Sequence, residues 1–137
     1  MTNQLSQIRW WRVIWTALTV SGASFLLVIL IVTVYAGYLG AQARGMPDQA
    51  KIQQFANQYA PLIGPISLIL FTFLGARWMA SFVRTETEIH GLVLGVIVSL
   101  VNLIFEGLGS LGLDTLIIAI LIIGGGWLGG RLAAGKQ

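Results

Sequence analysis

The sequence predicts an all-α integral membrane protein, a bundle of four spanning helices with both termini on the cytoplasmic side. Three observations carry that prediction. Three stretches run uncharged for membrane-spanning lengths, and a fourth falls slightly short. Only 9% of the 137 residues are charged, against about 25% in soluble domains, while 56% are hydrophobic. Every tryptophan maps to one set of helix ends and every tyrosine to the other. With so few charges the chain cannot cover a water-soluble core, so lipid is the solvent for most of its surface. The whole chain, 1–137, reads as a single membrane domain.

The first uncharged run covers residues 13–43, with its apolar heart at 25–34. At about 1.5 Å per residue it exceeds a hydrocarbon core of about 30 Å, so this span must tilt or project. We set it at about 13–41. Ala41-Gln42-Ala43, downstream of Arg9 and Arg12, has the form of a signal-peptidase site. Signal-peptide apolar regions run only about 7–15 residues, so an uncleaved first span is expected. Residues 47–59 make the one substantial polar stretch. There Ile52, Phe55, Ala56 and Tyr59 recur at i, i+3, i+4 and i+7, with Gln53, Gln54, Asn57 and Gln58 opposite. Pro47 suits a first helical position and Pro61 ends the run, which predicts a short amphipathic helix on the outer interface. Its plainer role is a connector; its functional alternative is a lid over an outer entrance.

The second uncharged run, 52–76, contains Pro61 and Pro65. Proline is tolerated in a first turn and poorly afterwards, so the second span is expected to begin near Leu62 and to cover about 62–82. The third run, 89–105, follows Thr85-Glu86-Thr87-Glu88, whose Thr85…Glu88 spacing fits a capping box; its span is set at about 89–107. The fourth run, 115–130, has Asp114 as an N-cap candidate and a span at about 115–133. These last two are short unless Arg131 snorkels and Glu106 sits at the interface.

Charge orients the set. Arg9, Arg12, Arg77, Arg84, Arg131 and Lys136 fall on one side of a four-span arrangement, and only Arg44 and Lys51 on the other. The richer side is the cytoplasmic one. The aromatics agree independently: Trp10, Trp11, Trp15, Trp78 and Trp127 mark inner ends, and Tyr35, Tyr38 and Tyr59 outer ends. Three or five spans would scatter both sets. The net charge of +3 comes from dispersed helix-end residues, which positive-inside topology explains better than nucleic-acid binding. The expected partners are therefore the bilayer of a bacterial cell membrane and other membrane subunits or a second copy, with no nucleic acid.

An internal echo joins the two halves. Residues 73–80, Phe-Leu-Gly-Ala-Arg-Trp-Met-Ala, match 127–134, Trp-Leu-Gly-Gly-Arg-Leu-Ala-Ala, without a gap. Both segments close a span at the inner surface, the mark of a duplicated hairpin or of convergent inner-end chemistry. The run from Leu74-Gly75-Ala76-Arg77 through His90-Gly91-Leu92-Val93-Leu94-Gly95 to Gly125-Gly126-Trp127-Leu128-Gly129-Gly130 resembles the YrzE-like family of small four-span bacterial membrane proteins. The resemblance covers about residues 60–134. It implies the four-span architecture and no particular activity.

Small residues line two of the spans. Gly91, Gly95 and Ser99 form a ridge on span three; Gly125/Gly129 and Gly126/Gly130 are overlapping GxxxG pairs on span four. Such faces let backbones approach closely, either within the bundle or against a partner. Leu94 is expected at a lipid-facing position beside this ridge. Asn102 and Glu106, at i and i+4, share a face near Asp114; they are the candidate ion or proton site, or else simply the outer ends of spans three and four. His90, the sole histidine, is either a cofactor-iron or chlorophyll-magnesium ligand or an interfacial residue bonded to a headgroup or loop. Arg77 and Arg131 are the candidate lipid-headgroup clamp, with Glu86 and Glu88 able to neutralise them, or plain snorkelling anchors.

Cysteine is absent, which excludes disulfides, thiolate metal sites and cysteine nucleophiles. No GxSxG, HExxH, P-loop, dinucleotide fingerprint or metal-ligand cluster occurs in the sequence. The expected function is a non-enzymatic, cofactor-free structural or accessory membrane protein packing through its glycine faces. The alternative is a small transporter or channel component using Asn102, Glu106 and Asp114. The topology is directly testable. A reporter fused after Gln137 should read as cytoplasmic and one inserted near Gln49 as outer; finding both on the same side would overturn the four-span order.

Overall fold

The computed structural model describes residues 8–82, 87–106 (the backbone alone at Glu106) and 112–134. Four helices account for nearly all of them: α1 Trp10–Ala43, α2 Gln49–Ala80, α3 Thr87–Glu106 and α4 Leu113–Ala134. All four are long and apolar enough to cross a membrane, so the chain is a multi-pass membrane protein of the all-α bundle class.

Neighbouring helices identify the packing order. α1 lies against α2 and α3, α4 lies against α2 and α3, and α2 touches α3 across the middle; α1 and α4 do not meet. The ring order is therefore α1–α2–α4–α3. Sequential helices run antiparallel, as short connections require, which sets α1 parallel to α3 and α2 parallel to α4. The two hairpins consequently lie side by side, each helix next to its counterpart, rather than facing one another through a two-fold axis. The echo of 73–80 in 127–134 fits this arrangement: Gly125 packs on Ile69 and Gly129 on Phe73 and Ala76, so the matched segments run alongside each other.

One end of the bundle gathers Trp10, Trp11, Trp15, Trp78 and Trp127 with Arg9, Arg12, Arg77 and Arg131. Contacts tie that end together: Arg12 Nη1 donates to Phe82 O at 3.1 Å, and the Arg9 N–H donates to His90 Nε2 at 3.4 Å. Tyr35, Tyr38 and Tyr59 stand toward the opposite end, so the segregation read from the sequence holds in space. Arg84 and Lys136 lie outside the described residues.

α2 departs from expectation. Residues 49–59 and the second span form one helix of 32 residues, with Pro61 and Pro65 inside it, instead of an interfacial helix that stops at Pro61. Proline in the first part of a membrane helix is survivable because neighbouring groups re-satisfy the freed carbonyls. The extension also has a partner that the sequence pattern alone does not show. α1, at 34 residues and about 50 Å, is as overlong as α2. Ile52, Phe55 and Ala56 are half-buried, and Phe55 stacks on Tyr35 of α1 at 4.0 Å between centroids, with Tyr59 4.7 Å beyond. Asp48 starts the helix by accepting the Ala50 N–H at 3.0 Å and the Lys51 N–H at 3.4 Å. Arg44, at φ 49°, ends α1 in the left-handed conformation usually taken by glycine or asparagine.

Two helix starts also shift. The Leu116 N–H bonds Gly112 O at 3.3 Å, so α4 begins at Leu113, two residues early, and Asp114 sits within its first turn rather than at its N-cap. A carboxylate there still faces the positive end of the helix dipole. The expected capping pair of Thr85 with Glu88 lies partly outside the described residues, since α3 is described from Thr87.

Because the chain has no native cysteine, the α1–α2 extension can be tested cleanly. A Tyr35→Cys/Phe55→Cys double variant should be joined by a short bifunctional thiol reagent in membranes. A helix that broke at Pro61 and lay flat would leave the pair unlinked.

Candidate functional site

The small-residue seams are the most tightly built part of the molecule. α4 presents two glycine faces to two different helices. Toward α3, Gly126 meets Gly91 O and stands 3.1 Å, measured from where its Cβ would be, from Gly95 N. Gly130 meets Thr87 O, and a Cβ at Gly91 would strike Gly126 O. A Cβ at Gly95 would stand 2.7 Å from Ile123 Cα and 3.0 Å from Ile122 O. Toward α2, a Cβ at Gly129 would strike Phe73 O and stand 3.0 Å from Ala76 Cβ, whereas Gly125 has ordinary contact with Ile69 O at 3.4 Å. Ser99 completes the ridge of α3 by donating from Oγ to Ala119 O at 3.3 Å. These glycines bring backbone onto backbone inside the bundle. They are not left open to a partner.

α1 joins the rest by a different chemistry, one that a search for glycine pairs misses. Ser24 Oγ and Ser67 Oγ share a hydrogen bond of 2.6 Å, and both bond Gly64 O, at 3.3 and 2.8 Å. The Gly64 carbonyl, just before Pro65, is thus shared between a serine of its own helix and one of α1, which ties the two helices together at that point. Further along, Gly75 makes room for Val20 and Thr16 of α1; a Cβ there would stand 2.7 Å from Val20 Cγ2. The legible signal was the series of small and hydroxyl residues Thr16, Ala17, Ser24 and Ser67, Thr72, Gly75, Ala76, which recurs at helical spacing without forming GxxxG.

Leu94 is a correction. It is fully buried, not lipid-facing, because α3 is flanked by three helices and the missing Cβ of Gly75 opens a space that Leu94 approaches to 3.8 Å. His90 is likewise buried, at 1% exposure, rather than at a headgroup. Its Nε2 accepts the Arg9 N–H at 3.4 Å, which occupies one of the two ring nitrogens through which an imidazole can bind a metal.

The candidate acidic site is only partly described. Asn102 is half-buried and Asp114 exposed, while the Glu106 side chain and the turn 107–111 lie outside the described residues. Neither of the two cavities described below is lined by Asn102 or Asp114. Arg77 and Arg131 are exposed in the last turns of α2 and α4, where cations suit the helix dipole. Arg131 lies 5.0 Å from the Trp127 ring centroid in a cation–π contact.

Two cavities open at opposite ends of the α1–α2 pair. The one at the tyrosine end, about 210 Å³, is lined by Leu39, Gln42, Ala43, Asp48 and Lys51. The other, about 330 Å³, is a groove between the tryptophan-bearing ends of α1 and α2. No family model, no curated protein and no solved structure matches the chain.

The seams make a graded prediction. Gly126→Ala and Gly129→Ala force a Cβ into backbone, so each should destabilise the bundle by about 1–3 kcal/mol, read as a lowered thermal midpoint in detergent. Gly124, with nothing within 4 Å of its Cβ position, is the matched control, and Gly124→Ala should leave the midpoint unchanged or slightly raised. Equal effects at all three positions would mean that the close contacts contribute nothing.

Proposed function

We propose that the chain is a non-enzymatic protein of a bacterial cell membrane, with both termini cytoplasmic, acting as a structural or accessory component rather than a transporter. The observation that carries this reading is how the interior is used. The seam glycines meet neighbouring backbone, and Thr16, Ser24, Ser67, Thr72 and Ser99 bond hydroxyls or carbonyls of their own or adjacent helices. Polar groups that would line a pathway in a carrier are here spent on hydrogen bonds within helices, at Thr16 and Thr72, and between them, at Ser24, Ser67 and Ser99. Orientation is supported by Arg9, Arg12, Arg77 and Arg131 sharing one end, against Arg44 and Lys51 at the other.

The partners this reading calls for are other membrane proteins or a second copy, met by the apolar exterior, since the glycine faces are occupied within the bundle. The resemblance to the YrzE-like family, carried by its glycine motifs, adds the same architecture and no activity. Glu106→Gln separates the two functional classes. An accessory role predicts normal insertion, unchanged co-purifying chains and no change in ion flux into proteoliposomes, because an interfacial carboxylate contributes little by pairing. An ion-dependent flux in the wild type that disappears in Glu106→Gln would overturn the proposal.

A further inference from the structure

The inner groove between α1 and α2 combines an apolar body with an arginine at its rim that has no ion-pair partner among the described residues. Trp11 and Trp15 form one wall, their rings 5.5 Å apart and edge-on; Trp78 and Phe82 form the other, at 5.3 Å and also edge-on. Thr16 and Met79 lie at the floor. Thr16 Oγ donates to Arg12 O at 2.8 Å, so its hydrogen is used within its own helix. The rings stay open to the surroundings: Trp11 is 70% exposed, Trp78 60% and Phe82 54%.

Arg12 stands at the mouth. Its Nη1 donates to Phe82 O, and its guanidinium lies 5.8 Å from the Phe82 ring centroid. Guanidinium carries five N–H donors in a planar fork, most of which remain for an anion. Among the described residues no carboxylate pairs with Arg12; Glu88, in the first turn of α3 at the same end, makes no ion pair with it. α1 has no acidic residue in its first turn and no side-chain cap at Arg9, so two arginines sit at the positive end of a helix dipole. Among the described residues the one ion pair is Lys51–Asp48 at 3.9 Å, at the opposite end of the bundle. Arg77 and Arg131 differ, since each lies at a helix C-terminus whose dipole favours a cation.

We infer that this groove binds one anionic glycerophospholipid, its phosphate on Arg12 and the upper part of an acyl chain between the tryptophan walls. The directions agree: passing from Phe82 to Trp78 and from Arg12 to Trp15 leads from the bundle end toward its middle, the course of a lipid from headgroup to tail. Among the described residues the indole N–H groups of Trp11, Trp15 and Trp78 have no protein acceptor, which suits them to ester carbonyls at that depth. This inference goes beyond the accessory reading and does not depend on any protein partner.

The test is native mass spectrometry of the full chain in detergent, titrated with phosphatidylglycerol and phosphatidylcholine bearing identical acyl chains. The wild type should retain one phosphatidylglycerol with roughly five-fold preference, the worth of about 1 kcal/mol for one basic group at an anionic lipid. Arg12→Gln should remove that preference, Arg12→Lys should keep most of it, and Arg131→Gln should leave it intact. Trp78→Ala should weaken both lipids. Equal retention of the two lipids by the wild type, or undiminished preference in Arg12→Gln, would overturn the inference. Displacement of the lipid by millimolar inorganic phosphate would overturn it too, by reducing the site to a small-anion contact. Should Arg12→Gln fail to fold, the wild type decides alone. Its tryptophan emission should be quenched more by acyl-brominated phosphatidylglycerol than by the matching phosphatidylcholine, and equal quenching would count against the groove.

Discussion

Backbone-to-backbone contact along α4 is the constraint on which the rest of the bundle depends. In a bilayer the lipid tails are as apolar as leucine, so no hydrophobic force drives one helix onto another. Cohesion must come from dispersion, which falls steeply with distance, and from polar bonds. α4 meets this requirement on two faces at once, Gly126 and Gly130 toward α3 and Gly129 toward α2. Because those faces diverge around the helix, α4 fixes the separation of α2 from α3 and brings them into contact across the middle. The corresponding role is closed to α1, which has no glycine seam and never reaches α4.

α1 is therefore held by means suited to a helix at the margin. Midway along, it has the serine pair with Ser67 and the packing of Val20 and Thr16 over Gly75; at the tryptophan end, Arg12 and Arg9 bond the Phe82 carbonyl and His90; at the tyrosine end, Tyr35 stacks on Phe55. Apart from the Val20 and Thr16 packing over Gly75, each attachment is polar or aromatic, and they are spread along the helix. This distribution follows from length. α1 and α2 have 34 and 32 residues, while α3 and α4 have 20 and 22, so the first hairpin outruns the second by about 15 Å or more. Over that excess neither α3 nor α4 is present to cover either helix, and the two overlong helices can only bury their faces on one another.

That mutual burial also explains what was legible in the sequence and what was not. The four spans, their alternation and the tryptophan–tyrosine polarity were readable because each is a local property of composition set against a slab of fixed thickness. The glycine faces were readable as faces, since GxxxG spacing is a matter of helical period, but their targets were not: only the fold shows that Gly129 turns to Phe73 while Gly130 turns to Thr87. The failures share a cause. Pro61 was read as a stop, Leu94 as lipid-facing and His90 as interfacial from their own neighbourhoods. In each case a residue distant in sequence reversed the outcome: Tyr35 for the extended α2, Gly75 for Leu94, Arg9 for His90. The candidate acidic cluster was legible as a spacing, and of its members the structure describes Asn102 and Asp114 in full.

The two ends of the bundle differ in how their charges are balanced, and this difference locates where the molecule engages its surroundings. At the tyrosine end Asp48 caps α2 and pairs with Lys51, so a negative and a positive group are satisfied within four residues. At the tryptophan end the helix dipoles divide the arginines into two kinds. Arg77 and Arg131 sit at C-termini, where the dipole offsets part of their charge, and Arg131 adds the Trp127 face. Arg9 and Arg12 sit at an N-terminus, where the dipole adds to it. Arg12 reaches across to Phe82 O at the far end of α2, which borrows the negative pole of the neighbouring helix but leaves a formal charge unmatched among the described residues. An antiparallel hairpin always brings one N-terminus beside one C-terminus, so this arrangement requires no special fold, only an arginine where an acid would ordinarily stand. With tryptophans on both walls, the site resembles the headgroup region of a membrane in polarity. A molecule with an anionic head and an apolar tail is the complement of that surface.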